Sequence, residues 1–138
     1  MLKKTITFTD YDGNERTEDH YFNLSKAELV EMESSVHGGY TESIKRIVSA
    51  QGNPTIMHEF KRMILRAYGE KTPDGRRFVK SEDISKAFSE TEAYTELFME
   101  LFQNPDKAAA FFTGIIPADV RSDYASAASD QPTLAPAT

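Results

Sequence analysis

Two rhythms of apolar residues run along this 138-residue chain, a short alternating one at its start and a helical one through most of the rest. The helical rhythm is fullest between Tyr68 and Phe102. There Ile84, Ala87, Phe88, Tyr94, Leu97, Phe98, Leu101 and Phe102 recur at intervals of three and four, which predicts helix with one broad apolar face. It is also the richest local supply of large apolar side chains, so the other helices are expected to pack onto it. Ser81 is placed to cap this stretch. Ser89-Glu90-Thr91-Glu92 offers a second capping box, which allows two helices with a bend near Ser89 in place of one long rod.

The alternating rhythm occupies residues 5–9, Thr-Ile-Thr-Phe-Thr, and puts Ile6 and Phe8 on one side of a strand. Asp12-Gly13-Asn14 is a turn signal, because glycine and asparagine tolerate positive φ. The return run sets His20, Phe22 and Leu24 on a common face. A β-hairpin results, whose apolar side needs helices or another chain to cover it. Ser25-Lys26-Ala27-Glu28 reads as a capping box ahead of a helix to about Ser35, with Leu29, Met32 and Val36 inward. His37-Gly38-Gly39 ends it. A short helix near Thr41 carries Ile44, Ile47 and Val48. Gly52-Asn53-Pro54 stops that one and starts a third, with a stripe of Ile56, Met57, Phe60, Met63, Ile64 and Tyr68. Gly69 reads as its C′ residue, and Lys71 to Arg77 as a polar loop turning at Pro73-Asp74-Gly75. Asn104-Pro105 starts a last helix, Asp106 to Thr113, with Ala109, Phe111 and Phe112, and Ile115 and Ile116 just beyond.

The fold class expected is mainly α with a small β element: an N-terminal β-hairpin followed by about five or six helices. Residues 1–120 form one domain in this reading. Residues 121–138 form a flexible low-complexity tail, being mostly Ser, Ala, Asp, Pro and Thr.

Composition narrows the function classes. Apolar content of 39% with 28% charged residues is ordinary for a globular chain. No apolar run approaches the ~20 residues of a membrane helix, and the N-terminus lacks the apolar core of a signal peptide. The absence of cysteine excludes disulfides, thiolate metal sites and a cysteine nucleophile, and suits a reducing cytoplasm. The net charge of −6 is unevenly spread. Residues 61–80 hold seven basic side chains (Lys61, Arg62, Arg66, Lys71, Arg76, Arg77, Lys80) against Glu70 and Asp74, or +5. Residues 81–123 hold three basic and nine acidic ones, or −6. Such blocks pair within a fold or between copies of it. The basic block, with Phe78 among Arg76, Arg77 and Lys80, is also the one candidate for a single-stranded nucleic-acid site, and the overall acidity weighs against it.

Motifs of catalysis fail one after another. Asp10-x-Asp12-x-Asn14 opens like a calcium loop, but Glu15 and Tyr21 stand where that loop needs glycine and glutamate. His58-Glu59 begins a zinc-protease motif that Arg62 breaks, and His20, His37 and His58 lie in separate elements. Gly38-Gly39 and Gly69 lack phosphate-loop spacing, and the serines have no nucleophile elbow. Glu90, Glu92, Glu96 and Glu100 have the spacing of a solvated helix face. No catalytic, cofactor-binding or metal-binding residue is therefore assigned, and the chain reads as a non-enzyme.

Four segments in order carry a family likeness: TITFTDYDGNERTEDHYFNLSKAELVEME, IVSAQGNP, ILRAYGEKTPDGRRFVKSEDISKAFSETEAYTELFMELF and AAAFFTGIIP. Together they resemble tail assembly chaperones of long-tailed, siphovirus-type phages and prophages of Gram-positive hosts. The YGEKTPDGRRFVKS run is the most specific part. The resemblance implies binding of the tape-measure protein, a long aggregation-prone helical chain, while the tail tube polymerises around it. It also implies a host-cytoplasmic protein that is absent from the mature virion. A frameshifted longer form that recruits major tail protein belongs to many such systems. Within the resemblance, Tyr94, Leu97, Phe98, Leu101, Phe102, Phe111 and Phe112 are the candidate partner-binding face. The hairpin edge with Ile6 and Phe8, and the Arg76-Arg77 loop, are the candidate surfaces for homo-oligomer formation. No cofactor, metal or membrane is implied. The rival readings are a tail or tail-completion protein retained in the virion, and a small nucleic-acid-binding regulator using residues 61–80.

Overall fold

A computed structural model of the chain describes residues 1–35, 40, 42, 44–46 and 54–120. Strands β1 (Leu2–Thr9) and β2 (Glu15–Phe22) form the expected hairpin, paired from Leu2↔Phe22 to Thr9↔Glu15 without a slip. Its turn is built by the residues that mimic a calcium loop. Gly13 takes φ 86°. The Asp10 carboxylate accepts from the backbone N–H of Asp12 and Asn14, each at 2.9 Å, and from Arg16 Nε at 2.6 Å. Those bonds, Arg16 foremost, hold the Asp10 carboxyl below its ordinary value. Its oxygens are committed to the turn.

Helix α1 (Lys26–Ser35) opens on the capping box: the Ser25 hydroxyl accepts from the Glu28 N–H, and the Glu28 carboxylate accepts from the Ser25 N–H. Leu29 and Met32 of this helix are buried, and so are Tyr40 and Ile44 farther along the chain, both helical. Helix α2 (Pro54–Ala67) has its proline in the first turn, where the missing N–H costs nothing. The expectations for Val36, His37-Gly38-Gly39, Thr41, Ile47, Val48, Gly52-Asn53 and residues 121–138 fall outside the described residues, as does that for the Ile56 side chain.

The segment after α2 departs from the sequence reading. The chain passes directly into β3 (Tyr68–Lys71), turns, and returns as β4 (Phe78–Val79). Tyr21↔Gly69 and Phe22↔Tyr68 join this ribbon to β2, giving one antiparallel sheet in the order β1-β2-β3-β4. The expected polar loop is only the tip of this second hairpin. There Asp74 accepts from the Thr72 hydroxyl and the Arg76 N–H, and Gly75 takes φ 76°. Gly69 is no helix cap. Only Gly13 and Gly75 have positive φ among the described residues, and Gly69 is small because the Phe78 ring lies over it, 2.7 Å from where a Cβ would sit. Strands this short show no periodicity in a sequence.

Helix α3 (Glu82–Ser89) is capped by Ser81, whose hydroxyl accepts from the Ile84 N–H. Helix α4 (Glu92–Gln103) follows after a bend, so two helices stand where one rod was the alternative. The cap of α4 is Thr91, accepting from the Tyr94 N–H, two residues beyond the Ser89 expected. Asn104 then caps α5 (Pro105–Gly114) by accepting from the Lys107 N–H.

The helices cover one face of the sheet: α4 lies on β1 and α3 on β3, with α2 against α3, α3 against α4, and α4 against α5. Period two then sorts the hairpin. Ile6 and Phe8 are buried beneath the helices, while Thr5, Thr7 and Thr9 face solvent. Phe22, Leu24, Ile64, Leu97, Phe112, Ile115 and Ile116 form the interior. Ala87, expected inward, is exposed, and Ile84 is half-buried.

Candidate functional site

A row of aromatic rings runs along α4. Tyr94, Phe98 and Phe102 are four residues apart, so each rises one turn above the last on the same face. Their centroids are spaced 5.9 Å and 5.9 Å, with Phe98 and Phe102 stacked at 17°. All three are half-buried. Phe60 of α2 backs the row, 5.2 Å from Phe98, and Met99 beside it is 40% exposed. Burial pushes the Tyr94 phenol up to about 12, so it stays neutral at any physiological pH.

The other four residues of the expected partner face lie behind this row. Leu97, Leu101, Phe111 and Phe112 are at most 3% exposed. Helical spacing put all seven on one apolar arc. Once α5 and α2 closed over it, the arc split into a buried half and a half-exposed edge. The same happened to Ile6 and Phe8, which are buried under the helices and leave only the backbone of their strand at the sheet edge. Arg76 and Arg77 are exposed at the tip of the β3–β4 hairpin.

A second feature has no signal in the sequence. A groove of about 580 Å³ opens between α1, α2 and the start of α3, with Met32, Met63 and Leu65 on its walls. Lys80 stands at its edge, donating to Glu28 at 2.7 Å and to the Asn23 carbonyl at 2.6 Å. Burial draws the Lys80 ammonium below its ordinary value, opposed by Glu28. Burial also works against the Glu28 carboxylate, but bonds from Lys80 and the Ser25 amide outweigh it and hold that carboxyl low. Lys80 and Glu28 are 52 positions apart, beyond the reach of any local spacing rule.

The charge blocks do not pair with each other among the described residues. Arg66 and Lys80 of the basic block reach Glu31 and Glu28 on α1. On the acidic side, Glu100 pairs with Lys4 and Lys107, and Asp119 with Lys26. Two of the seven cations that suggested a nucleic-acid site are thus paired with acidic side chains of α1.

His20 and His58 stay apart, and His37 lies outside the described residues. His58 is exposed on α2, while His20 packs on β2 against Phe88 and Tyr68, with centroids at 5.1 Å and 6.1 Å. Among the described residues, no three His, Asp or Glu side chains converge on a metal position, and no helix is long and apolar enough to cross a membrane. His20 Nε2 is buried without a hydrogen-bond partner, 3.7 Å from Glu18 Oε1. Burial lowers its pKa from 6.5, against the pull of Glu18 and Asp19. The folded state therefore prefers neutral imidazole. Stability is full above the unfolded value and declines as pH falls from about 6.5 through the lower folded one. Melting curves of the wild type and His20→Phe between pH 7.5 and 5 are expected to diverge, with the wild type losing more of its Tm on acidification.

A family model described as phage tail assembly chaperone matches residues 1–137. No curated protein and no solved structure matches the chain.

Proposed function

Since the chain belongs to the phage tail assembly chaperone family, we propose that it binds the tape-measure protein of a long-tailed phage and keeps that client soluble while the tail tube forms around it. The observation that carries this reading is the row Tyr94, Phe98 and Phe102, half-exposed on a helix whose buried side is locked by Leu97 and Leu101. A helical client offers apolar side chains about every 5–6 Å along one face. The row repeats at 5.9 Å, so successive client side chains can lie against successive rings. Of the seven residues first considered, these three make the contact and the buried four hold them in place. The groove between α1, α2 and α3, where Met32 and Met63 stand among charged side chains, is a second, adaptable surface, since methionine re-forms its shape around different side chains.

Such a chaperone acts by non-covalent contact alone. It works in the host cytoplasm as a homo-oligomer and is released before the virion is complete. Where a frameshifted longer form is made, the added part recruits major tail protein.

Co-expression with the tape-measure protein tests the reading. The client is expected to move from the pellet to the soluble fraction and to co-purify with the chain. Phe98→Ser with Phe102→Ser is expected to weaken capture by tenfold or more, about 1.4 kcal/mol at least, with the far-ultraviolet circular dichroism of the chaperone retained. A client equally insoluble with and without the wild-type chain removes the proposal. Detection of the chain in purified virions favours instead the structural tail protein.

A further inference from the structure

Strand β1 ends the sheet order, and among the described residues its outer edge carries no strand. The ladder defines which groups face outward. The Asp10 N–H donates to the Asn14 carbonyl at 2.8 Å, so Asp10 and Asn14 form a hydrogen-bonded pair. Alternation then gives Phe8, Ile6, Lys4 and Leu2 the bonds to β2. Lys3, Thr5, Thr7 and Thr9 occupy the wide positions, with their backbone N–H and C=O groups directed away from β2. The side-chain contacts agree, because cross-strand side chains approach most closely at wide positions: the Thr5 hydroxyl meets Asp19 at 2.6 Å and Thr7 meets Thr17 at 3.0 Å. Among the described residues, no hydrogen bond beyond the hairpin reaches the outward groups of these four residues.

Proteins guard such edges with proline, a bulge, a short strand or outward charges. This edge has none of the first three: it runs eight residues in unbroken register and contains no proline. Of its two charges, Lys4 is tied down to Glu100 at 2.9 Å, which leaves Lys3. We propose that β1 pairs antiparallel with β1 of a second copy, joining two four-stranded sheets about a two-fold axis at Ile6.

The sequence of the strand selects both the occupant and the direction. β1 starts with the exposed Lys3, and the chain beyond its far end carries the exposed Asp12 and Glu15. Antiparallel self-pairing lays the basic end of each copy beside the acidic end of the other, whereas parallel pairing stacks lysine on lysine. With Ile6 on the axis, Thr5 stands opposite Thr7 of the second copy and Lys3 opposite its Thr9. Each outward N–H and C=O then finds a partner, for up to about eight backbone hydrogen bonds. The contact is self-complementary and closes at two chains. It deepens the self-association part of the reading above and needs no client, so it stands or falls separately from tape-measure binding.

The test uses the full chain alone. Sedimentation is expected to show twice the chain mass at high concentration, with dissociation on dilution. Amide exchange by NMR is expected to slow by tenfold or more at Lys3, Thr5, Thr7 and Thr9 in the dimer, while their neighbours in the β2 ladder change little. Thr5→Lys with Thr7→Lys keeps every backbone group and sets like charges face to face, and a folded monomer is expected. Thr7→Pro, which deletes one outward donor, is expected to weaken the dimer at least tenfold. A monomer at all concentrations up to about 1 mM overturns the proposal. So does an oligomer in which those four amides still exchange as in the monomer, since its contact then lies elsewhere.

Discussion

Phe22→Ala is expected to remove about 3–5 kcal/mol of stability, the usual cost of deleting a fully buried aromatic ring. Phe22 is 0% exposed and closes β2, flanked by Leu2 on one side and Tyr68 on the other. Its ring meets Phe111 at 5.2 Å, Tyr68 at 5.5 Å and Phe88 at 5.8 Å, each edge to face. Those three rings belong to α5, β3 and α3. One side chain therefore ties the hairpin, the second ribbon and two helices together. The hole left by alanine is walled by rings fixed on three different elements, so it cannot close by moving one. Urea unfolding followed by circular dichroism is the measurement. Against a typical stability of about 5–15 kcal/mol, that loss removes from about a fifth to all of it. Phe22→Leu, which keeps most of the volume, is expected to lose less than half as much.

Gly69→Ala is expected to cost about 2–3 kcal/mol although it adds a single methyl group. A Cβ there would sit 2.7 Å from Phe78 Cε2, 2.9 Å from its Cζ and 2.9 Å from the Val79 carbonyl oxygen. The ring can swing aside. The carbonyl cannot, because Glu70↔Val79 is a pair of the β3–β4 ladder. Relief requires the ribbon to part. The double variant Gly69→Ala with Phe78→Ala tests this: it is expected to recover none of the loss, since the carbonyl clash remains and ring packing is gone. Gly13→Ala makes a contrast. It has open space around it, and its penalty comes from φ 86° alone.

The two substitutions mark the border of what was legible. Phe22 was readable, since period two from His20 to Leu24 identified its face and composition showed its bulk. Gly69 was legible only as punctuation. Its neighbours Tyr68 and Phe78 are ten positions apart, and nothing local shows that they meet as a ribbon. The first capping box shows the same border: Ser25 with Glu28 is legible because every participant lies within four residues, while Lys80 beside Glu28 leaves no local signal. The candidate partner face was half legible. Spacing located the aromatic row on α4 but did not distinguish Phe98 and Phe102 from Leu97 and Leu101, which the same helix buries.

By itself, the sequence determined the local elements: the N-terminal hairpin and its turn, the existence of the helices and the main apolar face of most of them. These follow from interactions within one or two turns of chain, which are written in consecutive residues. Tertiary structure alone decided that β3 and β4 extend the hairpin into a four-stranded sheet. It also decided which half of the aromatic arc stays outside, and that β1 stands last in the sheet order. Those outcomes depend on which surfaces meet when elements distant in the chain compete for the same apolar area, and burial is settled only when that competition ends.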